Sequence, residues 1–151
     1  PYIWCIDTIK TFIESNKIPI TLHENIREKH ISHHFIDELY DIWVKSWEDF
    51  HFKLPGGESS FEAQKRFVEA VKDVSSTHQG KTIAIITHGD ILGLFLNYID
   101  SINHMEKAEK MRNPDILRVV HRESRFLWDR DFRAQGLDNI ATHRDQIPLD
   151  K

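Results

Sequence analysis

Thr82-Ile83-Ala84-Ile85-Ile86-Thr87-His88-Gly89-Asp90 joins a run of apolar and β-branched residues to a His-Gly pair, and Ile91-Leu92-Gly93-Leu94-Phe95-Leu96 follows almost at once. Five consecutive residues of the first kind, 82–86, predict a buried strand, and the second run predicts a helix. His88 then stands at the strand's carboxyl end, with a glycine behind it that lets the backbone turn tightly. In open α/β sheets ligands bind at that edge, where amides of the next helix point at a bound anion. An imidazole there can serve as acid, base or nucleophile toward phosphate. The plainer reading of His88 is a helix cap.

The rest of the chain sets bounds on that reading. Its 151 residues suffice for one domain with a real core. Hydrophobic content of 40% and charged content of 29% are those of a globular protein. A net charge of −4 without a long basic run argues against nucleic acid and membrane surfaces as partners. The one cysteine, Cys5, excludes an internal disulfide framework and suits the cytosol. No apolar run approaches the ~18 residues that span a bilayer, and no signal peptide is visible.

Outward from the central stretch, the elements read as follows. Cys5, Ile6, Ile9, Phe12 and Ile13 recur at helical spacing and predict a helix over 5–15. Residues 18–22 predict a short strand, with Pro19 placing it at an edge or a strand start. Residues 25–34 are polar and irregular, and Phe35, Leu39, Ile42, Trp43 and Trp47 trace an amphipathic helix. Leu54-Pro55-Gly56-Gly57 is a turn, after which Ser59 and Glu62 form a capping box. The helix it opens carries Ala63, Phe67, Ala70, Val71 and Val74 on one face and closes at Gly80. A charged connector covers 103–111, and 116–120 and 125–128 predict a hairpin turning near 122–124. Residues after Gln135 read as a loosely held tail. This order points to helices covering a mixed sheet in a single α/β domain, 1–151.

Four motifs line up along this frame. Pro1-Tyr2-Ile3-Trp4-Cys5-Ile6-Asp7-Thr8 opens a helix, Ile26-Arg27-Glu28 precedes the polar segment, Gly57-Glu58-Ser59 precedes a capped helix, and Thr87-His88-Gly89 ends a strand. In order and spacing they resemble the histidine phosphatase superfamily, the phosphoglycerate mutase-like fold. That family carries Ser-Pro-x-x-Arg-[Ala/Cys]-x-x-Thr, Leu-x-Glu, Gly-Glu-Ser and [Ser/Thr]-His-Gly elements in this sequence. Asn113-Pro114 before the hairpin is a weaker echo. The resemblance implies a Rossmann-like three-layer fold with a mostly parallel sheet, helices on both faces, and a C-terminal β-hairpin. It also implies a lid-like insertion over 30–54, which holds Trp43, Trp47, Phe50 and Phe52, and a tail over 136–151. The same four aromatics suit plain core packing on a helix face.

The implied chemistry is hydrolysis or transfer of a phosphomonoester through a phosphohistidine, without metal or cofactor, on a small phosphorylated molecule. His88 and Gly89 would bind the phosphoryl group, and Glu28 would be the acid for the leaving group. Fixed donors around the equatorial oxygens account for most of such a catalyst's work. The departures are as informative as the matches. No Arg-His-Gly occurs in the sequence, so the nucleophile motif is absent and the family's first strand is expected upstream of Pro1. Trp4 stands at the family's second Arg position, and an indole, with one donor and no charge, cannot replace a bidentate guanidinium. The chain is accordingly expected to be inactive as an isolated, N-terminally truncated domain. A non-catalytic relative that binds anions or scaffolds is the alternative.

Three rival assignments bear on single residues. His88-Gly89-Asp90 has ligand types suited to a binuclear metallophosphoesterase, but that class needs Asp-x-His and Gly-Asn-His-[Asp/Glu] elements that the sequence lacks. His30, His33 and His34 could hold a metal, or lie on a solvated loop. Glu58 could face the pocket, or sit where the helix dipole favours a carboxylate. Cys5 reads as a small buried hydrophobe and Trp128 as hairpin packing. A missing first strand would leave an inner sheet edge for a second copy of the chain to cover, making a homo-oligomer.

Overall fold

The computed structural model describes residues 3–136, with side chains from Cys5 onward. The Trp4 side chain and residues 137–151 of the expected tail lie outside the described residues. Among the described residues five helices precede one hairpin: α1 (Ile3–Asn16), α2 (Leu39–Glu48), α3 (Ser60–Thr77), α4 (Gly89–Asp100), α5 (Met105–Glu109), β1 (Arg118–Arg122) and β2 (Arg125–Asp129). A single 3₁₀ turn, Glu24–Ile26, sits between α1 and α2.

Local chemistry explains the helix ends. α1 closes with Lys17 in the left-handed region (φ 52°), and the Ile18 N–H reaches back to the Ile13 carbonyl at 3.0 Å. α3 opens with the expected capping box. Glu62 N–H donates to Ser59 Oγ at 3.2 Å, and Ser59 N–H donates to Glu62 Oε2 at 2.9 Å. Ser59→Ala should cost about 1 kcal/mol in chemical denaturation, because one helix-end donor loses its partner. The helix ends at Thr77, and Gly80 then takes a positive φ of 70° to turn the chain.

α4 is apolar on most of its surface because it is covered on several sides, by α3, α5 and β2. Its buried Ile91, Leu94 and Phe95 meet Ala63, Phe67, Val68 and Val71 of α3, Trp47 of α2 and Phe126 of β2. Phe95 lies between Phe67 and Phe126, with ring centroids 5.4 and 5.2 Å away in edge-on geometry. Gly93 is required where α4 crosses α5: a Cβ there would stand 2.7 Å from the Ala108 Cβ. The hairpin is antiparallel, with Val119 opposite Trp128 and Arg122 opposite Arg125. Glu123 and Ser124 both have positive φ (49° and 63°), the turn that matches strand twist.

The expected strands at 18–22 and 82–87 differ from this outcome. Among the described residues the hairpin is the one sheet, and no parallel sheet forms. A strand exists only through its ladder, and neither segment pairs with the other or with a third. Several of their apolar side chains face solvent instead, with Ile18 42%, Ile20 48%, Leu22 58% and Ile83 38% exposed, while Ile85 packs against the core. The hairpin itself is shifted by two residues at β1, because turn chemistry at Glu123-Ser124 fixes its register.

Candidate active site

The site assembles where the loop after the 3₁₀ turn meets the start of α4. His88 is the residue before the first turn of α4, in extended conformation (φ −127°, ψ 167°), and its side chain makes no capping hydrogen bond. The capping role is therefore unfilled by the imidazole. Its Nε2 lies 3.5 Å from Cys5 Sγ on α1, so Cys5 is a half-buried neighbour of the site rather than a core residue. Burial lowers the pKa of His88 and raises that of the Cys5 thiol, so both are neutral groups near pH 7.

Glu28 fills the helix end that sequence reasoning assigns to an anion. Its Oε1 accepts from the main-chain N–H of Lys29 (2.8 Å) and Ile91 (2.9 Å), and its Oε2 from Asp90 (3.2 Å). The Asp90 and Ile91 amides belong to the first turn of α4, where partial positive charge favours a carboxylate. Two other influences oppose ionisation and win. Enclosure of the carboxyl group, followed by the nearby Asp90 charge, pushes the pKa of Glu28 up to about 7. A carboxylic acid that keeps its proton near neutral pH is suited to proton donation.

A second carboxylate holds this loop in place. Glu58 takes two hydrogen bonds from Arg27 (2.6 and 3.0 Å) and two from Arg66 (2.9 and 3.0 Å), and one from the His30 N–H (3.0 Å). Partial burial works against its charge, but the Arg27 and Arg66 bonds overcome that and bring its pKa down to about 2. Arg66 also donates to the carbonyls of Asn25 (2.8 Å), Arg27 (3.2 Å) and Glu28 (3.4 Å), clamping the backbone on both sides of the acid. Thr87 Oγ1 donates to the Ile26 carbonyl at 2.5 Å, tying the stretch before His88 to the same loop.

A buried ion pair lies behind the helix start. Lys29 Nζ meets Asp90 Oδ2 at 2.9 Å, with side chains 1% and 13% exposed, and donates to Ser46 Oγ (2.8 Å) and Ser60 Oγ (3.2 Å). Asp90 Oδ1 accepts from the indoles of Trp43 (2.7 Å) and Trp47 (2.8 Å) on α2. Trp47 is thus both core and polar anchor, as a buried indole N–H requires.

The structure brings His88, Gly89 and Glu28 to one helix end. Asp90, Lys29 and Arg66 are additions that sequence reading misses. Asp90 enters the sequence reading only within His88-Gly89-Asp90 as a metal-ligand type, and no motif singles out Lys29 or Arg66. The His30 and His33 rings touch (centroids 4.3 Å), while His34 is exposed on its loop. Among the described residues no group of three His, Cys, Asp or Glu side chains is placed to hold a metal ion. No helix among them is long and apolar enough to cross a membrane.

Residues 1–130 match the family model of the histidine phosphatase superfamily (branch 1), and the chain belongs to that superfamily. It is similar to a metal-independent phosphoserine phosphatase of Arabidopsis thaliana, 28% identical over 95 residues, which cover 61% of this chain and 37% of that protein. The chain thus matches little more than a third of that relative's length. In three dimensions it resembles YhfR of Bacillus stearothermophilus, with a TM-score of 0.66 at 22% identity, covering 82% of this chain and 66% of that one. That likeness is one of fold.

Proposed function

We propose that this chain carries the acid and second-histidine part of a phosphomonoester phosphatase or phosphomutase domain that works through a phosphohistidine. One observation carries the reading: Glu28, with a pKa of about 7, is hydrogen-bonded into the first turn of α4 beside His88. Glu28 would give its proton to the departing alkoxide, and His88, neutral at that pH, would donate a ring N–H to a phosphoryl oxygen. Gly89 would bind the phosphoryl group through its main-chain N–H. The nucleophilic histidine and its arginine would come from a strand preceding Pro1. The exposed Ile18, Ile20, Leu22 and Ile83 support this, since such a strand would complete a parallel sheet against their segments. A second copy of the chain could cover the same edge.

By themselves, residues 1–151 would be inactive toward phosphomonoesters, since they include no Arg-His-Gly. The segment 30–54 would act as the lid, consistent with the Trp43 and Trp47 bonds to Asp90. Its substrate would be a small phosphorylated molecule; the likeness to a phosphoserine phosphatase suggests a phosphorylated amino acid. The single free cysteine fits a cytosolic setting. A second reading, a non-catalytic relative that binds anions or scaffolds, is favoured by Trp4 at the family's arginine position.

Two measurements on one preparation test this. Residues 1–151 should bind orthovanadate weakly by calorimetry and lose that binding in His88→Ala, while para-nitrophenyl phosphate stays unhydrolysed with or without divalent metal. Absence of vanadate binding would remove the phosphate site, and turnover would overturn the inactivity. In a form extended by an Arg-His-Gly strand, an acid-labile phosphohistidine identifies the enzyme, and a folded protein that never forms one identifies the non-catalytic relative.

A further inference from the structure

We propose that Asp90 is the positioning residue of Glu28: its main-chain N–H holds one oxygen of the acid, while its carboxylate, fixed by Trp43, Trp47 and Lys29, sets a negative charge against it. The inference rests on Glu28 being the acid of the site. It goes beyond that reading by making the charge state of Glu28 depend on α2.

The geometry gives Asp90 two opposite effects on the same neighbour. Its amide donates to Glu28 Oε2 at 3.2 Å, which orients the carboxyl group. Its own carboxylate cannot swing away, because Oδ1 is bound by two indole N–H groups and Oδ2 by a buried ammonium. A fixed charge in a poorly solvated place acts strongly on its neighbours. The charged and titratable groups packed around Glu28 are few and mostly committed. Arg27 and Arg66 are spent on Glu58 and on the loop carbonyls. Cys5 and His88, from α1 and the start of α4, are neutral near pH 7. Lys29 is paired with Asp90 itself. The Asp90 charge is accordingly the largest electrostatic influence that a single side chain brings to the acid, second only to burial.

The indoles make this a link to the segment over 30–54. Trp43 and Trp47 lie one helical turn apart on α2, so both N–H groups can reach one oxygen. Lys29 ties the same helix through Ser46. Undocking α2 would strip Asp90 of its anchors and let water reach its carboxylate, weakening its hold on Glu28.

The test reads the Glu28 proton directly and needs no turnover. The whole chain is labelled with ¹³C at the glutamate carboxyl carbons, and the Glu28 signal is assigned by its loss in Glu28→Gln. Titration should show the Glu28 midpoint falling by about one pH unit or more in Asp90→Asn. That variant leaves the Lys29 ammonium without its partner, which costs stability and would itself lower the midpoint. The double variant Lys29→Met/Asp90→Asn removes both charges, and buried pairs replaced together are commonly tolerated. Its midpoint should fall as well. A merely structural Asp90 would change the denaturation curve and leave the midpoint in place. An unchanged midpoint in the folded double variant overturns the proposal. If the midpoint falls but the extended protein forms no phosphohistidine, the positioning role stands and the reaction reading fails.

Discussion

Raising the pH from 4.5 to 8 should weaken the folded protein, relative to Glu28→Gln, by about 3 kcal/mol. Glu28 has a pKa of about 7 in the fold against an ordinary 4.5, and each pH unit between those values corresponds to about 1.4 kcal/mol. Across that interval the folded protein holds a proton that the unfolded chain has released. Stability is therefore greatest below the unfolded pKa and is lost as pH rises through the window to about 7. Two other groups run the other way. His88 has a lowered pKa, so its burial costs stability as pH falls below about 6.5. Glu58, at about 2, contributes stability above 4.5 that is lost as pH falls toward 2. Its side chain is 19% exposed, so screening reduces that contribution to roughly 1–2 kcal/mol.

Comparison with Glu28→Gln cancels those opposing groups, because both proteins retain them. The variant adds a constant offset, since an amide NH₂ facing the Asp90 N–H cannot accept its hydrogen bond. The slope, not the offset, carries the result. Unfolding free energies from urea denaturation at several pH values should give a wild-type-minus-variant difference that falls steadily across the window. A flat difference would mean that Glu28 titrates as an ordinary surface carboxylate, and its role as a proton donor at neutral pH would fall with it.

How much of this was legible in the sequence depended on whether the interaction was local. The capping box at Ser59 and Glu62, the α4 helix and the turn of the hairpin are encoded within a few residues, and they form as read. His88 and Glu28 were legible as members of motifs, and they meet at one helix end. The strands at 18–22 and 82–87 have the right composition, but strand formation needs a partner that is distant in the chain. Asp90 was invisible as a hub because its partners Trp43, Trp47 and Lys29 lie 43 to 61 positions away. No spacing rule connects them. By sequence alone Glu58 suits the α3 dipole or a pocket; in the fold it joins two arginines that no local pattern pairs.

Gly57→Ala should destabilise the fold by about 3 kcal/mol or more, although it adds a single methyl group. Gly57 lies where the turn before α3 passes directly over the 30–31 backbone. A Cβ there would stand 2.1 Å from the Ile31 carbonyl oxygen and 2.9 Å from its carbon. The obstruction is main chain, so no rotamer change relieves it and the two segments must separate. Separation breaks the hydrogen bond from the Glu58 N–H to the His30 carbonyl (2.7 Å) and that from the His30 N–H to Glu58 Oε2 (3.0 Å). Overpacking of this kind costs about 1–3 kcal/mol, and each lost bond adds roughly 1. Gly80→Ala is the control. Gly80 has nothing within 4 Å of an added Cβ but a positive φ of 70°, so it should lose only about 1 kcal/mol through backbone strain. Thermal unfolding should separate the two by several degrees, since each kcal/mol shifts the midpoint of a chain this size by about 2–4 °C. The larger loss should come with a second effect: Glu58, displaced from Arg27 and Arg66, should titrate nearer its ordinary range, and the loop that carries Glu28 should loosen. Equal losses in the two variants would show that the 30–31 and 57–58 segments are free to part, and that Glu58 is not what fixes the acid in place.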